Sequence, residues 1–136
     1  MPIFRSCGMI VGKEMVVVAE SIMLEKAKDF AVNIVNLCRL IKETKREPVL
    51  TNQLLRSGTS IGANIHESKY AHGTADFIAK MQIALKECYE SEYWLELLNR
   101  TGYIPDEQYK PLQSDCGAIR RMIIASINTT KSTHQS

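Results

Sequence analysis

Apolar residues recur along most of this chain at spacings of three and four, the period of an amphipathic α-helix. Four segments carry such a stripe, at about residues 21–44, 49–68, 75–101 and 106–128. The first stripe consists of Ala27, Phe30, Ile34, Leu37 and Ile41. The alternation of apolar and polar residues that marks strands is nearly absent. The pattern therefore predicts an all-α protein with four helices.

Helix-breaking residues separate the stripes. Pro48 suits the first turn of a helix and disfavours helix at the preceding residue, and Gly102 suits the position just after a helix C-terminus. Connections of about three to six residues make consecutive helices antiparallel neighbours, which predicts an up-down-up-down, left-handed four-helix bundle. The start of the fourth helix stays open: Pro111 either kinks a helix that begins at Asp106 or opens the regular helix itself.

The sequence divides into three parts around this bundle. Residues 21–128 form the predicted bundle, and residues 129–136 are predicted to be a frayed polar tail. Residues 1–20 show no clear period, so three alternatives remain: an arm that packs on a neighbour, a disordered leader, or an over-long start. The apolar run at 15–19 is too short for a signal-peptide core or a membrane span, so no membrane association is expected.

The second helix is predicted from residues that form helices poorly. Each glycine in a helix interior costs about 0.8–1 kcal/mol relative to alanine, and Gly58 and Gly62 lie four residues apart on one face. Leu54, Ile61 and Ile65 nevertheless keep the helical period, which argues against a loop. Because such a segment would not stay helical alone, a neighbouring backbone is expected to pack closely on the glycine face.

A carboxylate falls on the apolar stripe of the third helix. Glu92 occupies the position where that stripe would continue, between Cys88 and Leu95. A carboxylate on a core-facing stripe needs a partner. Arg56 and Asn64, both on the second helix, are the candidates.

No constellation of catalytic or metal-binding residues can be recognised. The three histidines form no His-Glu-x-x-His or Glu-x-x-His pair, and neither a Gly-x-Gly-x-x-Gly motif nor a P-loop occurs. The four cysteines form no Cys-x-x-Cys pair, and we expect reduced, buried thiols in a cytoplasmic protein. The sequence therefore predicts a protein that is not an enzyme, with no catalytic residue, cofactor, metal or small-molecule substrate.

Two stretches of the chain resemble a known family. The first runs from Leu54 to Ile65 and is followed by Glu67; the second comprises residues 76–78, 83–87 and 90–98 and closes with residues 101–104. Over about residues 24–127 the chain resembles the four-helix-bundle proteins encoded by intervening sequences in 23S ribosomal RNA genes. The structural motif positions are Arg56, Ser57, Gly58, Ser60, Gly62, Asn64, Glu67 and Glu92.

The resemblance implies a homo-oligomer, because relatives form five-membered rings. Distant relatives act as nucleic-acid-binding accessory proteins to reverse transcriptases in diversity-generating retroelements. The chain's net charge of +2 is weak evidence of a nucleic-acid partner, but a ring of five copies would carry about five times as much. Ribosomal RNA or another nucleic acid is therefore the expected partner. The candidate contacts are Lys42, Lys45, Arg46, Arg120, Arg121 and Lys131.

An oligomeric scaffold or protein-interaction module is the alternative function. Tyr89, Tyr93 and Trp94 lie beside the apolar stripe of the third helix. They either complete the bundle core or form an aromatic contact with another subunit or a partner, because interfaces favour aromatic residues. In the alternative, the acidic third helix meets a basic edge of the next subunit, which leaves little positive charge for RNA.

Overall fold

The structure is a computed structural model, which describes the backbone of residues 8–135 and the side chains of residues 12–134. Four helices account for most of these residues, and none of the described residues lies in a strand. Their bounds are α1 Gly8–Lys45, α2 Pro48–Ser68, α3 Thr74–Arg100 and α4 Asp106–Gln135. Helix α1 packs on α2, α2 on α3, α3 on α4, and α4 on α1. The all-α, four-helix prediction is confirmed; the left-handed up-down-up-down connection stays a prediction.

Two of the predicted helix ends differ from the structure. Helix α1 begins at Gly8 rather than near residue 21, and α4 continues to Gln135 rather than ending near residue 128. Residues 12–19 are helical but exposed. An exposed segment needs no apolar stripe, so the stripe pattern did not predict helix there. Within the last turns of α4, the Thr130 hydroxyl donates to the carbonyl of Ser126 at 2.9 Å. Residues 1–7 of the predicted N-terminal arm lie outside the described residues.

Pro48 and Gly102 lie at helix ends, as predicted. Pro48 lies in the first turn of α2, where the Glu47 side chain accepts a hydrogen bond of 2.8 Å from the Leu50 N–H. Gly102 follows the end of α3 with a φ of 85°, a conformation that favours glycine. Pro111 lies inside α4, which begins at Asp106, so the first of the two alternatives for this helix is the observed one.

The predicted stripes form the core. Every residue of the first stripe is buried, and so are Ile61 and Ile65 of α2 and Ile119, Ile123 and Ile127 of α4. Cys38, Cys88 and Cys116 are buried free thiols, as predicted, whereas Cys7 lies outside the described residues. Burial raises the pKa of Cys38 to about 11, so this thiol stays protonated at neutral pH.

The glycine face of α2 packs closely on α1. A Cβ at Gly58 would lie 2.9 Å from Cγ2 of Ile34, and a Cβ at Gly62 would lie 3.6 Å from the carbonyl carbon of Ala27. Contacts below 3.0 Å are essentially never seen for a real Cβ. The predicted approach of a neighbouring backbone is found at Gly62, against Ala27, whereas the tighter contact at Gly58 is with the Ile34 side chain. Of the described helices, none combines the length and the apolar character that a membrane crossing requires.

Candidate nucleic-acid interface

Arg56 joins α2 to α3 through two carboxylates. Its Nη1 donates to both carboxylate oxygens of Glu87, at 3.3 and 3.2 Å, and its Nη2 donates to Glu90. The hydrogen bond from Arg56 lowers the pKa of Glu90 and, in return, raises the pKa of the arginine. The Trp94 indole N–H also donates to Glu90, at 3.4 Å. The positive charge of Arg56 is thus shared by two carboxylates of the same chain.

The polar residues of the α2 motif are satisfied within the bundle. The Ser91 hydroxyl of α3 donates to the Ser57 hydroxyl at 2.9 Å, and both serines are fully buried. Ser60 donates to the carbonyl of Arg56, and the Asn64 amide donates to the carbonyl of Ser60 at 2.8 Å. The first bond joins α3 to α2, and the other two end on carbonyls one turn earlier in α2. The contacts explain the motif as helix packing.

The partner of Glu92 is Arg120 of α4. The Arg120 Nε donates to the Glu92 carboxylate at 3.0 Å, and this bond raises the pKa of the guanidinium. The predicted partners, Arg56 and Asn64, are wrong. The period of α3 shows that Glu92 lies near the core, but the rotation of the helix turns it toward α4 and away from α2. Glu67, another motif residue, pairs with Lys80 at 3.2 Å.

A polar pocket lies around the Glu92–Arg120 pair, between α3 and α4. Its lining consists of Glu92, Lys110, Gln113, Ser114, Gly117, Arg120 and Arg121. Lys110 was missed by the sequence reasoning. The signal was present, because Lys110, Gly117 and Arg121 follow spacings of seven and four, which place them on one face of α4. That face is polar, so the search for apolar stripes passed over it.

The six predicted cationic contacts do not form one cluster. Lys42, Lys45 and Arg46 lie at the C-terminal end of α1, where the Lys45 ammonium donates to the carbonyl of Gly102 at 3.3 Å. Arg120 and Arg121 lie midway along α4, at the pocket. Lys131 is a further ten residues along that helix, roughly 15 Å away at 1.5 Å per residue. Of the predicted cations, only Arg120 pairs with a carboxylate among the residues whose side chains are described.

The three aromatic side chains on α3 occupy different environments. Trp94 is half-buried, packs against the hydrophobic core, and lies edge-to-face with Tyr93, with 5.0 Å between ring centroids. Tyr89 and Tyr93 are exposed, at 51% and 57%. The Arg120 guanidinium lies 5.5 Å from the centroid of the Tyr89 ring. Trp94 therefore contributes to the core, whereas the two tyrosines remain on the surface.

Comparison with known proteins places these features in a family. The model of the 23S rRNA-intervening sequence protein family matches residues 19–125. The chain belongs to this family. The match includes the α2 motif, the Arg56 cluster and the α3–α4 pocket, but Lys131 falls outside it. A search of curated proteins gave no match.

A crystal structure shows the same fold in a relative. This protein of unknown function from the S23 ribosomal protein family of Bacteroides thetaiotaomicron is 48% identical in sequence to the present chain. The match covers 81% of this chain and 98% of that one, with a TM-score of 0.80. The residues of the present chain outside the match therefore extend beyond a four-helix unit that accounts for nearly all of the relative.

Proposed function

We propose that this protein is a non-enzymatic, cytoplasmic homo-oligomer that binds RNA through basic side chains of α1 and α4. One observation carries the proposal: ion pairs within the chain use up much of the negative charge of α3. Arg56 and Arg120 pair with Glu87, Glu90 and Glu92. The acidic character of α3 is thereby reduced toward α2, at Glu87 and Glu90, and toward α4, at Glu92.

The basic residues at the end of α1 and along α4 keep their charge available. Lys42, Lys45, Arg46, Arg121 and Lys131 pair with no carboxylate among the described side chains. Unpaired cations of this kind bind phosphates with an affinity that falls as salt rises, because binding releases counterions. Ribosomal RNA is the RNA to test, because the family is named for sequences that intervene in the 23S rRNA gene.

Exposed apolar side chains support an oligomer. Met15, Val17 and Val18 of α1 are 66%, 61% and 56% exposed, and Tyr93 of α3 is 57% exposed. Exposed apolar and aromatic side chains of this kind are enriched at protein interfaces. Five is the subunit number that the family resemblance favours. Repetition of a weak basic surface in an oligomer would raise the apparent affinity for a long RNA.

The second candidate is a scaffold that binds another protein and no nucleic acid. The exposure of Tyr89 and Tyr93 favours it, because aromatic residues are enriched at protein interfaces. In this case the apolar and aromatic surfaces carry the function, and the unpaired cations serve only solubility.

Light scattering separates the two candidates. The full chain is measured alone and with 23S ribosomal RNA fragments, at low and at moderate salt. We expect a discrete oligomer that gains RNA mass at low salt and loses it as salt rises. An oligomer that gains no RNA mass at either salt would reject RNA binding and leave the scaffold.

A matched pair of variants locates the binding surface. In the test variant, Lys42, Lys45 and Arg46 are replaced by alanine. In the control, Lys13, Lys26 and Arg39 are replaced; these residues are exposed on the same helix and the change in charge is the same. We expect the test variant to bind RNA more weakly than the control. Equal losses would mean that only net charge matters.

A further inference from the structure

We propose that the α3–α4 pocket is a phosphate subsite for single-stranded RNA and that Tyr89, beside it, is a stacking platform for a base. The inference rests on the proposed function and deepens it. It names one site on the basic surface and the form of RNA that fits the site. The pocket and the exposed ring are independent features that adjoin through Arg120.

The absence of a side chain at Gly117 shapes the pocket. A Cβ at this position would lie 3.3 Å from Nη1 of Arg121 and 3.5 Å from Nη2 of Arg120. Two guanidinium groups from consecutive residues therefore converge over one buried glycine. A guanidinium presents a planar fork of donors that matches the oxygens of a phosphate.

The charges in the pocket leave an excess of two positive charges. Lys110, Arg120 and Arg121 contribute three, and Glu92 contributes the one negative charge of the lining. Glu92 accepts a hydrogen bond from Nε of Arg120, which fixes the guanidinium while Nη2 lies beside Gly117. Glu92 therefore orients the Arg120 guanidinium for phosphate binding, but it also neutralises part of the positive charge of that guanidinium. The neutral side chains of Gln113 and Ser114 add donors to the same lining.

The exposed ring of Tyr89 extends the site beyond a phosphate. The Arg120 guanidinium lies 5.5 Å from the ring centroid, and about half of the Tyr89 side chain remains exposed. Unpaired bases stack on such rings with little sequence preference. Bases in a duplex are already stacked and paired, so the site should prefer single strands.

The first test removes the unpaired cations of the pocket. Fluorescence anisotropy measures the affinity of the full chain for a labelled single-stranded RNA. Lys110→Ala with Arg121→Ala is compared with Lys26→Ala with Arg39→Ala, which makes the same change in charge on α1. We expect about tenfold weaker binding for the pocket variant only, and a slope of log affinity against log salt that is shallower by about 0.7, the value for one lost phosphate contact on a single strand.

A second variant tests the shape of the pocket without changing any charge. In Gly117→Ala the new methyl group would lie 3.3 Å from Nη1 of Arg121 and push that guanidinium end aside, so binding should weaken. Its melting temperature should not fall, because alanine favours helix over glycine. Unchanged RNA affinity in this variant and in the cation variant would reject the pocket. RNA binding by the wild-type protein would still stand in that case, whereas a wild-type protein that binds no RNA would reject the proposed function.

The stacking platform has its own control. Tyr89→Ala should weaken binding to single-stranded RNA, Tyr89→Phe should retain it, and Tyr93→Ala should leave it unchanged. Equal affinity of the wild-type protein for single- and double-stranded RNA would overturn the stacking argument. In an NMR titration, inorganic phosphate should shift the Gly117 and Arg121 amide signals, and added RNA should displace it. Phosphate that binds there but is not displaced would indicate a site for a free phosphate compound and would overturn the RNA subsite.

Discussion

The carboxylates on the two faces of α3 lie in clusters of opposite net charge. Toward α2, Arg56 is shared by Glu87 and Glu90, so the cluster has one positive and two negative charges. Toward α4, Glu92 pairs with Arg120 in a pocket that Lys110 and Arg121 also line, so the lining carries a net charge of +2. One acidic helix thus supplies a closed structural junction on one side and an incompletely neutralised, cationic pocket on the other.

Burial separates Glu87 from the other carboxylates of the two clusters. The Glu87 side chain is 11% exposed, whereas Glu90 and Glu92 are 29% and 21% exposed. A nearly buried carboxylate depends on its partner for stability, because it has lost most of its hydration. A partly exposed pair adds little stability but can still be rearranged by a ligand. The comparison therefore predicts stability effects on the α2 side and binding effects on the α4 side.

Gly58→Leu should have the largest effect on stability. The Cβ alone would lie 2.9 Å from Ile34, which is fully buried and cannot move aside. Overpacking of this kind costs roughly 1–3 kcal/mol or more. Urea unfolding measures the loss, and Gly12→Leu is the control because nothing lies within 4 Å of its Cβ position. Equal stability of the two variants would contradict close packing of α1 on α2.

Arg56→Ala should destabilise the protein by about 1.5–3 kcal/mol, because it leaves the nearly buried Glu87 without its charged hydrogen bonds. Arg39→Ala removes an exposed arginine of α1 and should change stability by less than about 0.5 kcal/mol. Urea unfolding at neutral pH compares the two. The idea of a structural junction fails if Arg56→Ala unfolds at the same urea concentration as Arg39→Ala.

Glu92→Ala should change stability and binding in opposite directions. The loss of a partly exposed ion pair costs about 0.2–1 kcal/mol, which is still more than the cost of Glu96→Ala, since Glu96 is exposed. The same change removes the one negative charge of the pocket lining, and at low salt this gain should outweigh the lost orientation of Arg120, so RNA affinity should increase. Weaker RNA binding together with lost stability would show that Glu92 orients Arg120 more than it neutralises it.

The pH dependence of the Arg56 cluster should give the smallest effect. The pKa of Glu90 is lowered from its ordinary value of 4.5, mainly by the hydrogen bond from Arg56. The stabilisation is complete above that value and is lost as the pH falls through the lowered pKa of the folded state. Between pH 6 and pH 3, the free energy of unfolding of Glu90→Gln should therefore fall by a few tenths of a kcal/mol less than that of the wild-type protein. The difference is small because the Arg56–Glu90 pair is partly exposed. An equal fall in the free energy of unfolding of both proteins over this pH range would contradict a stabilising role for the Arg56–Glu90 hydrogen bond.

The sequence by itself determined the class of fold and most of the core. The period of three and four located all four helices, and Pro48 and Gly102 marked two of their ends. The same reasoning identified the close contact at Gly58 and Gly62. This was possible because the apolar period and the cost of glycine in a helix are local properties of a segment. They do not depend on which other segment packs against it.

Only the tertiary structure decided which charges meet. Glu92 was recognised as needing a partner, but Arg120 and not Arg56 is that partner. The shared face of Lys110 and Arg121 could be read from the sequence of α4, but only the packing of α3 shows that Glu92 lies in the same pocket. The physical reason is that the hydrophobic effect, which drives the burial of apolar surface, is non-directional. The stripes fix the face that each helix buries, whereas the rotation and offset of the packed helices fix which polar groups come within hydrogen-bonding distance.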